Sequence, residues 1–260
     1  MNDDRLNDAA LLEAVIDIAR DAGEVIMAIY ATDFAIRGKS DASPVTEADE
    51  RAEAVITQGL RQLAPGVTIV AEEAVAGGDQ PEVGQWFWLV DPLDGTKEFI
   101  NRNGEFTVNI ALVRDGEPVL GVVLAPALGR LFAGVRGQGA FVVDGAAKRA
   151  IRCRNVPPEG LTVVASRSHG DAAALDAFLA GRKVASTTNA GSSLKLCLVA
   201  AGEADLYPRL GRTMEWDIAA GHAVLAAAGG RVDTVAGAPL RYGKPGFDNP
   251  HFAAAGAGMS

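Results

Sequence analysis

Trp86-Phe-Trp-Leu-Val-Asp91-Pro92-Leu93-Asp94-Gly95-Thr96-Lys97-Glu98-Phe99-Ile100 is the stretch that decides the fold. Its first five residues are a bulky apolar run of strand length and composition. Asp91 closes the run, and Pro92, which has no N–H for a sheet ladder, predicts that the strand stops there. Gly95 permits a tight turn, and the residues from Thr96 to Ile100 read as a helix start. Two carboxylates at a strand end beside a helix start form a hard-oxygen site suited to Mg²⁺. The free N–H groups of that helix start suit a phosphate. Metal and anion sites in one turn imply phosphoryl chemistry. For Asp94 alone an ordinary surface turn capped by Asp is the better explanation of the sequence.

Working upstream, the β-like run from Val67 to Ala71 also ends in acids, Glu72 and Glu73, so pairing of the two strands would set these acids beside Asp91. Before it, Ala48, Ala52, Val55, Ile56, Leu60 and Leu63 share one face of a helix that starts near Thr46 and stops at Pro65-Gly66. Asp49 is three residues after Thr46, where a capping box accounts for it without chemistry. An amphipathic helix also runs to about Tyr30.

Downstream, strict alternation from Phe106, a turn at Asp115-Gly116, a strand from Val119 to Leu124 and further strands near 131–135 and 140–143 read as an antiparallel meander. Strands near 162–165, 185–188 and 205–207 then alternate with helices near 171–180, 192–201 and 216–228. The shift around residues 148–160 divides the chain into an N-terminal α+β lobe (1–150) and a C-terminal α/β lobe (151–260). Sheets layered with helices, α+β in class, follow from this order. Asp217 opens the last of those helices, where capping is its ordinary role.

The 260 residues carry a net charge of −9 with 48% hydrophobic content, ordinary for a globular chain. The acidic balance argues against nucleic acid as a partner, because phosphate backbones are bound by excess Lys and Arg. Cys153 and Cys197 cannot build a disulfide framework and read as reduced thiols. The acidic, charge-studded N-terminus is not a secretory signal, and no apolar run is long enough to be transmembrane. The expectation is a cytoplasmic protein, whose oligomeric state, a homodimer included, the sequence leaves open.

Each acid has a bland explanation, but together they converge on one point, which like charges resist unless cations are bound. Asp91-Pro-Leu-Asp-Gly-Thr-Lys-Glu-Phe99 and Gly104-Glu-Phe-Thr-Val-Asn-Ile-Ala-Leu112, with Val45-Thr-Glu-Ala-Asp49 and Ala71-Glu-Glu73 before them and Glu215-Trp-Asp-Ile-Ala-Ala-Gly221 after, resemble the Mg²⁺-dependent, lithium-sensitive inositol monophosphatase superfamily. More narrowly they resemble its bacterial 3′(2′),5′-bisphosphate nucleotidase (CysQ-like) branch, over nearly the whole chain. The resemblance implies the layered αβαβα sandwich of sugar phosphatases and at least two Mg²⁺ ions. One ion would be held by Glu72, Asp91 and the Leu93 carbonyl, a second by Asp91, Asp94 and Asp217. Thr96, oriented by Asp49, would position or activate the attacking water, the Gly95 and Thr96 amides would hold phosphate oxygens, and Glu73 would orient a ligand or water. Two cations roughly 3.5–4 Å apart stabilise both attacking and leaving oxygens of an in-line displacement.

A substrate with a second phosphate needs further cations. His169, Ser192, Lys195 and Arg209 lie in segments resembling those of the nucleotidases, and Arg209 stands where the inositol enzymes usually carry an acid. Their ordinary readings are a helix cap for His169, a solvated stem for Lys195 and an exposed turn residue for Arg209. The implied reaction removes the 3′-phosphate of adenosine 3′,5′-bisphosphate, or of its sulfated parent, in sulfate assimilation. The alternatives are an inositol- or sugar-phosphate phosphatase and a non-catalytic nucleotide-binding protein. Peripheral membrane association, assigned to some relatives, finds no basic amphipathic surface here.

Overall fold

A computed structural model describes residues 9–34, 36–38, 44–166, 172–256 and 259. The first helix, α1 (Ala9–Tyr30), buries Leu12, Val15, Ile16, Ala19 and Ile26 along one stripe. A short antiparallel pair, β1 (Ile36–Gly38) and β2 (Pro44–Thr46), leads into α2 (Glu47–Leu63). Helix α2 starts with a reciprocal cap: the Thr46 hydroxyl accepts from the Ala48 N–H, and Asp49 accepts from the Thr46 N–H at 2.8 Å. Next come β3 (Thr68–Ala71), α3 (Glu72–Ala76), β4 (Trp86–Asp94) and α4 (Thr96–Ile100). The meander follows as β5 (Thr107–Arg114), β6 (Glu117–Ala125), β7 (Arg130–Val135), β8 (Gly139–Asp144) and β9 (Ala147–Ile151). The remaining elements are β10 (Leu161–Ser166), α5 (Ala172–Leu179), β11 (Val184–Ala190), α6 (Leu194–Ala200), β12 (Leu206–Arg209), α7 (Glu215–Ala227), β13 (Arg231–Thr234) and β14 (Phe252–Ala255).

Seven strands, β3 to β9 in sequence order, form one sheet in which only the β3–β4 pair is parallel. A second sheet has the order β11-β10-β12-β14-β13. Helices α1 and α2 cover one face of the large sheet, α6 and α7 fill the space between the sheets, and Phe178 and Leu179 of α5 pack beyond the small one. The layers therefore run αβαβα, as the resemblance implied. Among the described residues no helix is long and apolar enough to cross a membrane.

Both faces of strands β4 to β7 are buried, so alternation there sorts side chains between two cores rather than between core and water. On β4, Trp88 and Val90 join the α1/α2 core while Phe87 and Leu89 join the α7 core. Asp91 continues the second set and so projects towards α7. Helix α7 lies so close to the sheet that a Cβ on Gly121 would strike the Ala220 carbonyl oxygen.

Pro92 does not end its strand. β4 continues to Asp94, with Asp91 paired to Asn109, Asp94 paired to Thr107, and a register shift between them. The proline occupies this irregularity, where no ladder N–H is required, which re-aims Asp91 and Asp94. Strands β1, β2, β9, β13 and β14 and the short helix α3 escaped the sequence reading. Ala147-Lys-Arg-Ala-Ile151 and Phe252-Ala-Ala-Ala255 carry little β-branched or aromatic signal, and tertiary pairing makes them strands.

Candidate active site

The parallel β3–β4 register sets Ala71 opposite Val90, so Glu72, the next residue, is level with Asp91. Asp217 enters from the opposite side, in the first turn of α7. Carboxylate oxygens of Glu72, Asp91 and Asp217 all lie within 4.8 Å of one another. This is the convergence the sequence pointed to, made by a strand pair on one side and a helix start on the other.

The cluster is electrostatically uncomfortable. Burial first, and then Glu72, Asp94 and Asp217, push the Asp91 carboxyl well above its ordinary range. Burial, followed by Asp94 and Glu72, does the same to Asp217. Asp94 is pushed up to about 6, chiefly by burial with Glu72 adding, while Lys195 opposes the shift. Asp94 also accepts from the Asn109 amide at 3.4 Å. Crowded, desolvated, oxygen-only donors fit hard divalent cations, whose charge would repay the repulsion.

Thr96 is the first residue of α4, behind a left-handed Gly95 with φ of 91°. Its hydroxyl lies 3.3 Å from Asp49 Oδ1 and 3.4 Å from the Leu93 carbonyl oxygen. Asp49 thus does two things at once: one oxygen caps α2 and the other faces Thr96. Gly95 and Thr96 line the cavity, and their amides, at the cap and first residue of α4, have no intrahelical acceptor. Asp217 is also dual, since its Oδ2 accepts from the Met214 N–H at 2.8 Å. Glu73, next to Glu72 on α3, is outside the trio of clustered carboxylates.

A cavity of about 280 Å³ opens over these groups, lined by Glu72, Asp94, Thr96 and Asp217 and also by Lys195 and Arg209. Lys195 is buried on α6, its ammonium 3.3 Å from the Ala190 carbonyl oxygen and 5.5 Å from the centre of the Tyr207 ring. Burial lowers its pKa to about 8, against the pull of Asp94. Arg209 donates Nη2 to the Arg212 carbonyl at 2.7 Å, while its buried Nε has no hydrogen-bond partner among the described residues. An unsatisfied buried guanidinium N–H on a cavity wall suits an anion. Ser192 lines the same cavity, its hydroxyl 2.8 Å from the Asp94 carbonyl oxygen and 2.6 Å from that of Glu105. A Cβ on Gly95 would collide with that Ser192 hydroxyl, so the Gly95 turn and the loop before α6 interlock. His169 lies outside the described residues.

One support of the site went unread in the sequence. Glu215, fully buried, accepts from the Gly243 and Lys244 amides at 2.7 and 3.0 Å and from the Lys244 ammonium at 2.5 Å. Asn249 then donates to the Met214 carbonyl at 2.7 Å. Together they strap the segment 243–249 across the start of α7 and hold Asp217 in place. Its sequence signal was an acid beside Trp216, which reads as a solvated first-turn charge.

Comparison with known proteins agrees with this geometry. The sequence profile of the inositol monophosphatase family matches residues 7–256. The 3′(2′),5′-bisphosphate nucleotidase CysQ of Escherichia coli (strain K12) is 48% identical over 245 residues, covering 93% of this chain and 98% of the relative. The crystal structure of CysQ from Bacteroides thetaiotaomicron superposes with a TM-score of 0.81 at 37% identity, over 98% of this chain and 100% of that one. An inositol monophosphatase from Anabaena superposes with a TM-score of 0.73 at 27% identity, over 95% and 90% of the two chains.

Proposed function

The chain belongs to the inositol monophosphatase family, and from that premise we propose that it is a Mg²⁺-dependent 3′(2′),5′-bisphosphate nucleotidase. Its substrate would be adenosine 3′,5′-bisphosphate, cleaved to AMP and phosphate, with the sulfated parent as a second substrate in sulfate assimilation. The observation that carries this reading is a single cavity lined both by the clustered acids and by Lys195 and Arg209. The greater likeness to nucleotidases than to an inositol monophosphatase supports it too.

Glu72, Asp91 and Asp217 would hold the cations, joined by Asp94 and the Leu93 carbonyl. Once bound, they would stabilise charge on the attacking and leaving oxygens of an in-line displacement. Thr96 would orient the water with a hydroxyl lone pair while its proton points to Asp49, whose second oxygen is already fixed by Thr46. That division keeps the Asp49 carboxylate from swinging away, and makes it the base at hand for a relayed proton. The Gly95 and Thr96 amides would take oxygens of the scissile phosphate, aided by the α4 dipole. Lys195 and Arg209 would neutralise the phosphate that is not cleaved.

Phosphate release with Mg²⁺ from adenosine 3′,5′-bisphosphate and from inositol 1-phosphate, run in parallel, tests the assignment. Preference for the nucleotide is expected. Preference for the inositol ester would overturn the specificity and leave the metal reading standing, whereas nucleotide binding without turnover at saturating Mg²⁺ would remove the activity.

A further inference from the structure

We infer that Glu53 is a positioning residue that aims the metal acid Glu72, an inference that rests on the cation-binding reading of the acid cluster. Helix α3 begins with Glu72, and its N-cap, Ala71, has no side-chain hydrogen bond to offer. Its orphan amides are met from elsewhere. Glu53 Oε2 accepts from the Glu73 N–H at 2.7 Å and Oε1 from the Ala74 N–H at 2.9 Å, across 20 and 21 positions of sequence. Both oxygens of one buried carboxylate are thus spent on consecutive amides, a two-point grip that fixes direction as well as distance.

Helix α3 has five residues, too few to hold a defined axis without help. The direction of the Glu72 side chain is set by the backbone of that first turn. A carboxylate placed near Glu72 and Glu73 is a poor choice for packing alone, because like charges repel. The helix N-terminus offsets that repulsion, since its partial positive charge and free N–H groups favour an anion.

The placement on α2 points the same way. Glu53 follows Asp49 by one helical turn, so both carboxylates leave the same face of one helix. Asp49 reaches the Thr96 hydroxyl and Glu53 reaches the start of α3. One buried helix face therefore fixes the spacing between the hydroxyl expected to orient water and the acid expected to hold a cation.

The test uses the full chain with Glu53→Gln, which keeps shape but has one acceptor oxygen for two amides, and with Glu53→Ala as the more severe change. Mg²⁺ binding is followed by calorimetry without nucleotide, and the Glu73 and Ala74 amides by hydrogen exchange. The Mg²⁺ Kd should rise about tenfold in Glu53→Gln, as for other outer-sphere partners of metal ligands, and further in Glu53→Ala. Exchange at both amides should quicken, and the nucleotide KM at saturating Mg²⁺ should stay within about twofold. An unchanged Mg²⁺ Kd with faster exchange makes Glu53 a helix cap and nothing more, and overturns the inference. A parent chain that binds no Mg²⁺ fails the cation reading instead, so the two failures are distinguishable. Should Glu53→Ala not fold, Glu53→Gln alone decides.

Discussion

Asp49 and Thr96, 47 positions apart in the chain, meet side chain to side chain at 3.3 Å, one at the start of α2 and the other at the start of α4. Thr96→Val keeps the shape of the side chain and removes the hydroxyl. Steady-state kinetics should show kcat lower by about 10²–10⁴, the range for losing a positioned proton partner. The KM should change little, because the Gly95 and Thr96 amides, proposed above to take the phosphate, are untouched. A kcat within a few-fold of the parent would exclude Thr96 from the chemistry.

The acid cluster costs stability when no cation neutralises it, so removing one of its charges should help the empty fold. Asp91→Asn keeps the acceptor that meets the Leu93 N–H at 3.0 Å and deletes a charge beside Glu72 and Asp217. In chelator, its Tm should exceed the parent's by more than about 2 °C, the shift from ~1 kcal/mol in a chain of this size. Added Mg²⁺ should raise the parent's Tm and leave the variant's nearly unmoved. Its rate should drop by several orders of magnitude. A variant less stable than the parent in chelator would mean that Asp91 holds the fold together rather than straining it.

Arg209 is the residue proposed to separate substrates by charge. Arg209→Ala should weaken the doubly phosphorylated nucleotide by ~1.5–3 kcal/mol, the worth of a charged hydrogen bond, or roughly 10–150-fold in KM. Simple monophosphate esters, with nothing to place against Nε, should lose less than about threefold on the same reasoning. Equal losses on both substrates would make Arg209 structural.

What the sequence disclosed depended on whether a residue sat at a boundary. Glu72, Asp91 and Asp217 each interrupt an apolar run at the end of a strand or the start of a helix, so element reading alone brings them towards one point. Asp49 was legible from the residues as a cap, while its approach to Thr96 came only through the family resemblance. Glu53 was unread because it lies within a helix among residues that suit water, and Glu215 because an acid in the first turn of a helix reads as a solvated charge. Glu53 belongs to Glu47-Ala-Asp-Glu-Arg-Ala-Glu53, which looks like a solvated face. Only tertiary pairing with α3, and with residues 243 and 244, shows these carboxylates to be buried. Pro92 misled for a related reason, since a rule about ladder hydrogen bonds does not apply where the register slips.

His222 predicts how the fold responds to acid. It sits in α7 with its Nδ1 2.8 Å from the Tyr242 hydroxyl, and burial, with Arg136 adding, lowers its pKa to about 3. In the unfolded chain the same imidazole titrates near ~6.5. Between those values the unfolded state takes up a proton that the native state refuses, so stability falls as pH drops from ~6.5 towards 3, by up to ~1.4 kcal/mol per unit. Above pH ~6.5 both states hold a neutral ring and the contribution vanishes. His222→Asn keeps a polar atom for Tyr242 and cannot titrate. Denaturant unfolding from pH 8 to 4.5 should give the variant a lower stability at pH 8, from lost packing, and a shallower acid limb. The carboxylates titrate in both proteins, so the informative quantity is the difference in slope, close to one proton between pH 6 and 4.5. Parallel acid limbs would show that the native state protonates His222 as readily as the unfolded one does.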